Sequence, residues 1–70
     1  MTREQYLEDS KERAREYLRE YDIKNAITSM LSDMEKREDT RPNKALYVLG
    51  IIVASNDDYN EAVRFVEGFR

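Results

Sequence analysis

Any chemistry in this chain would have to come from serine, threonine, tyrosine, lysine, arginine or carboxylates, because it contains neither histidine nor cysteine. Losing those two residue types removes the commonest general base, the commonest metal ligand and every thiolate nucleophile. Serines 10, 29, 32 and 55 have no imidazole to activate them. Carboxylates are numerous, but no pair sits in an apolar context that would shift a pKa. No glycine-rich phosphate loop is present. Asn56-Asp57-Asp58 offers oxygen ligands, yet the spaced ligands, central glycine and closing glutamate of a calcium loop are missing. These three residues read instead as a turn and a helix cap. The expectation is a non-enzymatic protein with no cofactor and no resident metal.

Binding is the remaining class of function. Phosphate contact needs basic residues on one face. Arg13, Arg15 and Arg19, with Lys11 nearby, form one such group, and Arg37, Arg41 and Lys44 flank a loop. Glutamates interleave with both sets and the net charge is −3, so a nucleic-acid-binding regulator using the arginines of the first helix stands as the alternative reading. The primary reading is protein–protein interaction. Tyrosine combines apolar area with a polar tip and is enriched at interfaces. The candidate partner-binding residues are Tyr47, Ile51, Tyr17, Tyr6 and Arg13.

The elements that must position these residues are helices. Only two glycines and one proline interrupt 70 residues, which suits a single helical domain. Thr2 and Gln5 have capping-box spacing, and Leu7, Ala14, Leu18 and Tyr21 follow as a helical stripe. Exposed ion pairs such as Glu8–Lys11, Asp9–Arg13 and Glu16–Arg19 could support that first helix. Asp22 caps a second helix through Ile23, Ala26, Ile27, Met30, Leu31 and Met34. Asp39 to Asn43 is a loop, with Pro42 and Asn43 suited to starting the next element.

The third segment, Lys44 to Ser55, is apolar around most of its circumference. That pattern predicts a central helix packed on more than one side, with Gly50 at a close crossing. Leu46, Leu49 and Val53 are expected to face the fourth helix, and Tyr47 and Ile51 the opposite side. The fourth helix starts at Asp58, which repeats the capping-box spacing with Glu61, and Gly68 is suited to closing it. The fold expected is all-α: four short helices in two antiparallel hairpins, residues 2–38 and 42–70. A groove or apolar face formed by the first and third helices would accept a partner helix.

Two copies of one pattern, Asp22-Ile23-Lys24-Asn25-Ala26-Ile27 and Asp58-Tyr59-Asn60-Glu61-Ala62-Val63, lie 36 residues apart. This resembles the tetratricopeptide repeat, whose period is about 34 residues. Leu49-Gly50 stands at that family's Leu-Gly pair, Asp57 at its turn glycine and Ala62 at its small residue. The first copy keeps Tyr17, Ile23 and Ala26, has Ala14 in place of glycine, and neither copy has the leading tryptophan or closing proline. The resemblance implies stacked helical hairpins, which leaves the fold expectation open between a repeat-like pair and a small helical bundle. Residues 22 to 69, notably Asp22 to Met34, Leu49-Gly50 and Arg64 to Phe69, are also similar to short uncharacterised proteins of tailed phages. That resemblance implies a viral accessory protein that binds a host factor or assembles with itself, and it carries no activity. Two repeats bury little core, so a homo-oligomer is expected. The longest apolar run is about half a bilayer span and the charged N-terminus has no signal-peptide pattern, so a cytoplasmic protein without membrane contact is expected.

Overall fold

The computed structural model describes residues 1–70 and contains four helices: α1 (Arg3–Arg19), α2 (Ile23–Glu35), α3 (Lys44–Asn56) and α4 (Tyr59–Glu67). Each begins at a side-chain cap that satisfies an otherwise orphaned backbone N–H. Thr2 and Gln5 form both halves of a capping box, with Gln5 N–H donating to Thr2 Oγ1 at 3.1 Å and Thr2 N–H to Gln5 Oε1 at 2.8 Å. Asp22, Asn43 and Asp58 accept from the N–H groups of Asn25, Leu46 and Glu61. The expected box at Asp58 is only half made, because the Glu61 carboxylate turns to Arg64 instead, at 2.6 Å.

Both hairpins turn by the same device. At the end of α1, Tyr21 adopts a left-handed conformation (φ 57°). Tyr21 N–H donates to Leu18 O and Asp22 N–H to Tyr17 O, both at 2.9 Å, which closes the helix and delivers Asp22 to cap α2. At the end of α3, Asp57 is left-handed (φ 54°), and Asp58 caps α4. The duplicated sequence pattern therefore records a left-handed residue followed by an aspartate cap. Gly68 does not take that role: it closes α4 in ordinary right-handed geometry at φ −75°.

Neighbouring helices run antiparallel. Tyr6 meets Asp33, Tyr47 meets Glu35, and Lys11 and Arg15 meet Glu67, each joining the start or middle of one helix to the end of its neighbour. α1 packs on α2 and α4, α3 packs on the same two, and α2 and α4 also touch across the middle. α1 and α3 make no contact. The cross-section is thus a rhombus with α2 and α4 on its short diagonal. Displacing one hairpin alongside the other would put α1 beside α3; closing α1 onto α4 makes a small four-helix bundle instead.

One core runs through the centre, built mainly from Ile23, Ala26, Ile27, Met30, Leu31 and Met34 of α2, with Ala14, Leu18, Val53, Ala62, Phe65 and Val66 around them. Small residues let the axes approach: Ala14, Ala26 and Ala62 are wholly buried. Gly50 answers to the close crossing expected of it. A methyl group there would lie 2.8 Å from Leu31 Cδ1, 3.1 Å from Phe65 Cζ and 3.3 Å from Ile27 Cγ2.

The central helix, however, is α2 and not α3. Only Gly50 and Val53 of α3 are buried. Leu46, Tyr47 and Ala54 are half-buried at its inner edges, and Val48, Leu49, Ile51 and Ile52 face outward, because a helix at the long corner of the rhombus has neighbours on one side only. The groove expected between the first and third helices does not form, since the short diagonal separates them.

Candidate interaction surface

The outer side of α3 follows from helical geometry. With Gly50 and Val53 turned inward, residues 45, 48, 49, 51, 52 and 55 project away from the bundle at 100° per residue. Val48 is 49% exposed, Leu49 48%, Ile51 64% and Ile52 50%. No charged residue interrupts the sequence between Lys44 and Asp57. Single exposed aliphatic residues are ordinary on protein surfaces, whereas four clustered within two turns of one helix mark an association surface.

The expected binding residues fall into two groups on different sides of the molecule. Ile51 lies on the outer face of α3. Tyr47 lies at its inner edge, its ring against the core and its hydroxyl donating to the Glu35 carboxylate, which pushes the phenol above its ordinary pKa. Of the three residues expected to face α4, Val53 is buried and Leu46 half-buried, while Leu49 is substantially exposed.

Tyr6, Arg13 and Tyr17 line the seam between α1 and α2. Tyr6 Oη donates to the Asp33 carbonyl at 2.5 Å, and the Arg37 guanidinium sits 5.4 Å above its ring. Arg13 Nε donates to Asp33 Oδ2 at 2.9 Å, which pairs a carboxylate that is otherwise largely buried. Ser10, wholly buried, donates back to the Tyr6 carbonyl at 2.9 Å and so needs no partner from outside. These residues knit α1 to α2, and Tyr17 and Arg13 border a polar cleft shared with Glu16, Glu20 and Ser29.

The arginines of α1 are engaged within the chain. Arg15 forms a fork with both Glu67 oxygens at 2.8 Å and reaches Glu8 at 2.6 Å and Glu12 at 3.2 Å. Arg19 holds Glu12 at 2.8 Å. The Arg15 guanidinium keeps the Glu67 carboxyl below the usual carboxylate range, and Arg19 with Arg15 does the same to Glu12. The expected pairs Glu8–Lys11, Asp9–Arg13 and Glu16–Arg19 are replaced. Arg13 is drawn across to Asp33, Lys11 Nζ donates to the Glu67 carbonyl at 3.1 Å, and Arg19 reaches back seven residues to Glu12.

A second concavity, about 450 Å³, opens where the ends of α1 and α4 meet the loop before α3. Leu46, Leu49, Phe65 and Phe69 line it, with Arg3, Arg41, Arg64 and Arg70 around them. The Phe65 and Phe69 rings meet edge to face at 5.3 Å. Leu49 belongs to both surfaces and makes them continuous. Arg3 joins Arg64 and Arg70 because α1 closes on α4, and Arg41 comes from the loop, so no local pattern announces the set; Glu35 pairs with Arg41 and Glu61 with Arg64.

No set of three or more acidic residues converges to hold a metal ion, and every buried side-chain polar atom has a hydrogen-bond partner. No helix is long and apolar enough to cross a membrane. The protein is thus a small all-α bundle with an uncharged apolar flank. Comparison with protein-family models, curated proteins and solved structures returned no match.

Proposed function

We propose that this chain is a non-catalytic protein-interaction module that presents the outer face of α3 to a protein partner. Its biological role on this reading is that of a phage accessory protein, engaging a host factor or assembling with itself. One observation carries the reading: Val48, Leu49 and Ile52 are about half exposed and Ile51 64% exposed on one uncharged helix face. Water-facing aliphatic surface of that extent gains free energy when another surface covers it. Tyr47 borders the face, and the arginine-ringed groove beyond Leu49 extends it with charge that could orient a partner.

The nucleic-acid alternative has weaker support. It relies on Arg13, Arg15 and Arg19, whose guanidinium groups are held by Asp33, by Glu8, Glu12 and Glu67, and by Glu12. Phosphates would have to displace those carboxylates.

Photo-cross-linking tests the proposal. A benzophenone side chain in place of exposed Ile51 is expected to give covalent protein adducts in cells, and the same group in place of exposed Lys24 on α2 is not. Equal labelling at both positions, adducts to nucleic acid alone, or no adduct at position 51 would refute it.

A further inference from the structure

The concavity where α1 and α4 meet the loop before α3 combines an apolar floor with a cationic rim. The floor is open to water: Leu46 and Phe69 are half-buried and Leu49 is 48% exposed. The rim takes Arg3 from α1, Arg41 from the loop, Arg64 from α4 and Arg70 beyond it. The one acidic residue in the lining, Asp39, is already engaged by Arg37, which forks onto both of its carboxylate oxygens at 2.9 Å. A chain of net charge −3 thus gathers positive charge around one apolar hollow.

We infer that this groove binds an acidic peptide segment of a protein partner, with a carboxylate held at Arg3 and a neighbouring bulky apolar side chain laid on Leu46, Leu49 and Phe69. This rests on the reading of the chain as a protein-interaction module and gives the chemistry of the partner where the flank of α3 runs into the groove.

Arg3 is the anchor because it is held in position and makes no ion pair with another side chain. Its Nε donates to the Asp39 carbonyl at 3.3 Å, and a terminal nitrogen donates to the main-chain oxygen of Arg70. A guanidinium has five N–H donors, so several are left for a carboxylate. An α-carboxylate at Arg70 would offset that residue's own guanidinium and still leave Arg3 in excess. The other rim arginines are loosely committed. Arg41 meets Glu35 only at 3.5 Å, and Glu35 also accepts from the Tyr47 hydroxyl. Arg64 holds Glu61 at 2.6 Å in an exposed pair one helical turn apart, the kind of contact that contributes little.

The floor decides between a peptide and a nucleic acid. A phosphodiester backbone would satisfy the arginines and leave the apolar floor wet. Phe65 is buried with its ring against Phe69, and the most exposed apolar part of the floor is Leu49, so the groove offers aliphatic contact rather than a row of aromatic faces on which bases stack. At about 450 Å³ the hollow takes a short segment rather than a folded domain.

Titration of the isotope-labelled full chain with the acetylated, amidated peptide Glu-Leu-Asp-Phe-Glu, followed by amide chemical shifts, tests this. Saturable shifts are expected at Thr40, Asn43, Leu46 and Phe69, with a dissociation constant of roughly 0.1–1 mM. The neutral peptide Gln-Leu-Asn-Phe-Gln and the apolar-poor peptide Glu-Ala-Asp-Ala-Glu are each expected to bind at least fivefold more weakly. Arg3→Gln is expected to weaken the first peptide about tenfold. Arg64→Gln, at an exposed site with no part in the core, is expected to weaken it about threefold. Lys24→Gln, which removes the same charge at the opposite end of α2, is expected to leave binding unchanged. Absence of saturable shifts in the groove overturns the inference, as does equal binding of the neutral peptide or equal weakening by Lys24→Gln and Arg64→Gln. An oligothymidylate that shifts the same amides at lower concentration than the peptide overturns it in favour of nucleic acid. A silent groove with protein adducts still forming at position 51 sinks this inference and leaves the interaction reading standing; a silent groove without such adducts sinks both.

Discussion

Replacing Asp57 by glycine should make the monomer more stable, and the size of the gain follows from the backbone. Asp57 holds φ 54° and ψ 37° at the end of α3, where its N–H donates to Ala54 O at 3.3 Å. A left-handed residue with a side chain costs roughly 1–2 kcal/mol, somewhat less for aspartate, and glycine escapes that cost. The larger freedom of glycine in the unfolded chain takes back part of the gain. The net expectation is a stabilisation of about 0.5–1 kcal/mol. For a domain of this size that raises the melting temperature by about 3–6 °C. Circular dichroism melts at 5 µM read the change. Charge is the competing explanation, because Asp57 stands at the negative end of the α3 dipole. Asp57→Ala separates the two: it removes the same charge but keeps a Cβ. The backbone argument requires the order glycine, then aspartate, then alanine. If alanine and glycine raise the melting temperature equally, electrostatics is the cause and the argument from φ is wrong.

Tyr21 is left-handed as well, but its ring lies 5.0 Å from that of Tyr59, so Tyr21→Gly trades backbone relief against a lost aromatic pair of about 0.5–1.5 kcal/mol and should leave the melting temperature nearly unchanged. Met30 is wholly buried at the centre of α2, and Met30→Ala should cost about 2–5 kcal/mol, visible in urea titrations as a much lower midpoint. Thr40 is buried and its hydroxyl donates to Met34 O at 2.9 Å, so Thr40→Val should cost about 1 kcal/mol, and no loss would mean that the carbonyl finds water instead. The folded-state pKa values of Glu67, Glu12 and Asp39 are depressed by their arginines, so their contribution to stability is full above the unfolded carboxylate pKa of about 4 and is lost as pH falls through the lower folded values. Urea midpoints should therefore drop on the acid side, and Arg15→Gln should shrink that drop; an undiminished drop would assign it to other carboxylates.

The helix boundaries were legible because each rests on a local device. Thr2, Asp22, Asn43 and Asp58 are short polar residues ahead of amphipathic runs, and all four cap helices. Gly50 was legible as a crossing because glycine inside an apolar helix has a cost that only close packing offsets. The position of α3 was not. An apolar circumference states how much surface a helix offers and is silent on what covers it, so the same residues suit a buried central helix or a peripheral one awaiting a partner. The partners of the α1 arginines were equally hidden. Spacing within a helix suggests neighbours three or four residues away, but Glu67 and Asp33 come from other helices and compete successfully. Left-handed Tyr21 could not be read either, since nothing about a tyrosine favours that conformation.

The rhombic arrangement also sets an order of opening. α3 buries only Gly50 and Val53, with Leu46, Tyr47 and Ala54 half-buried beside them, whereas α2 contributes seven buried residues and touches every other helix. Amide protons in α3 should accordingly exchange with deuterium through a partial opening that leaves α1 and α2 folded, well before the global unfolding that releases Ile27 and Met30. A ligand that covers α3 would close this route. Its binding would be read as slowed exchange along Val48 to Ala54, and part of its binding energy would go into holding that helix in place.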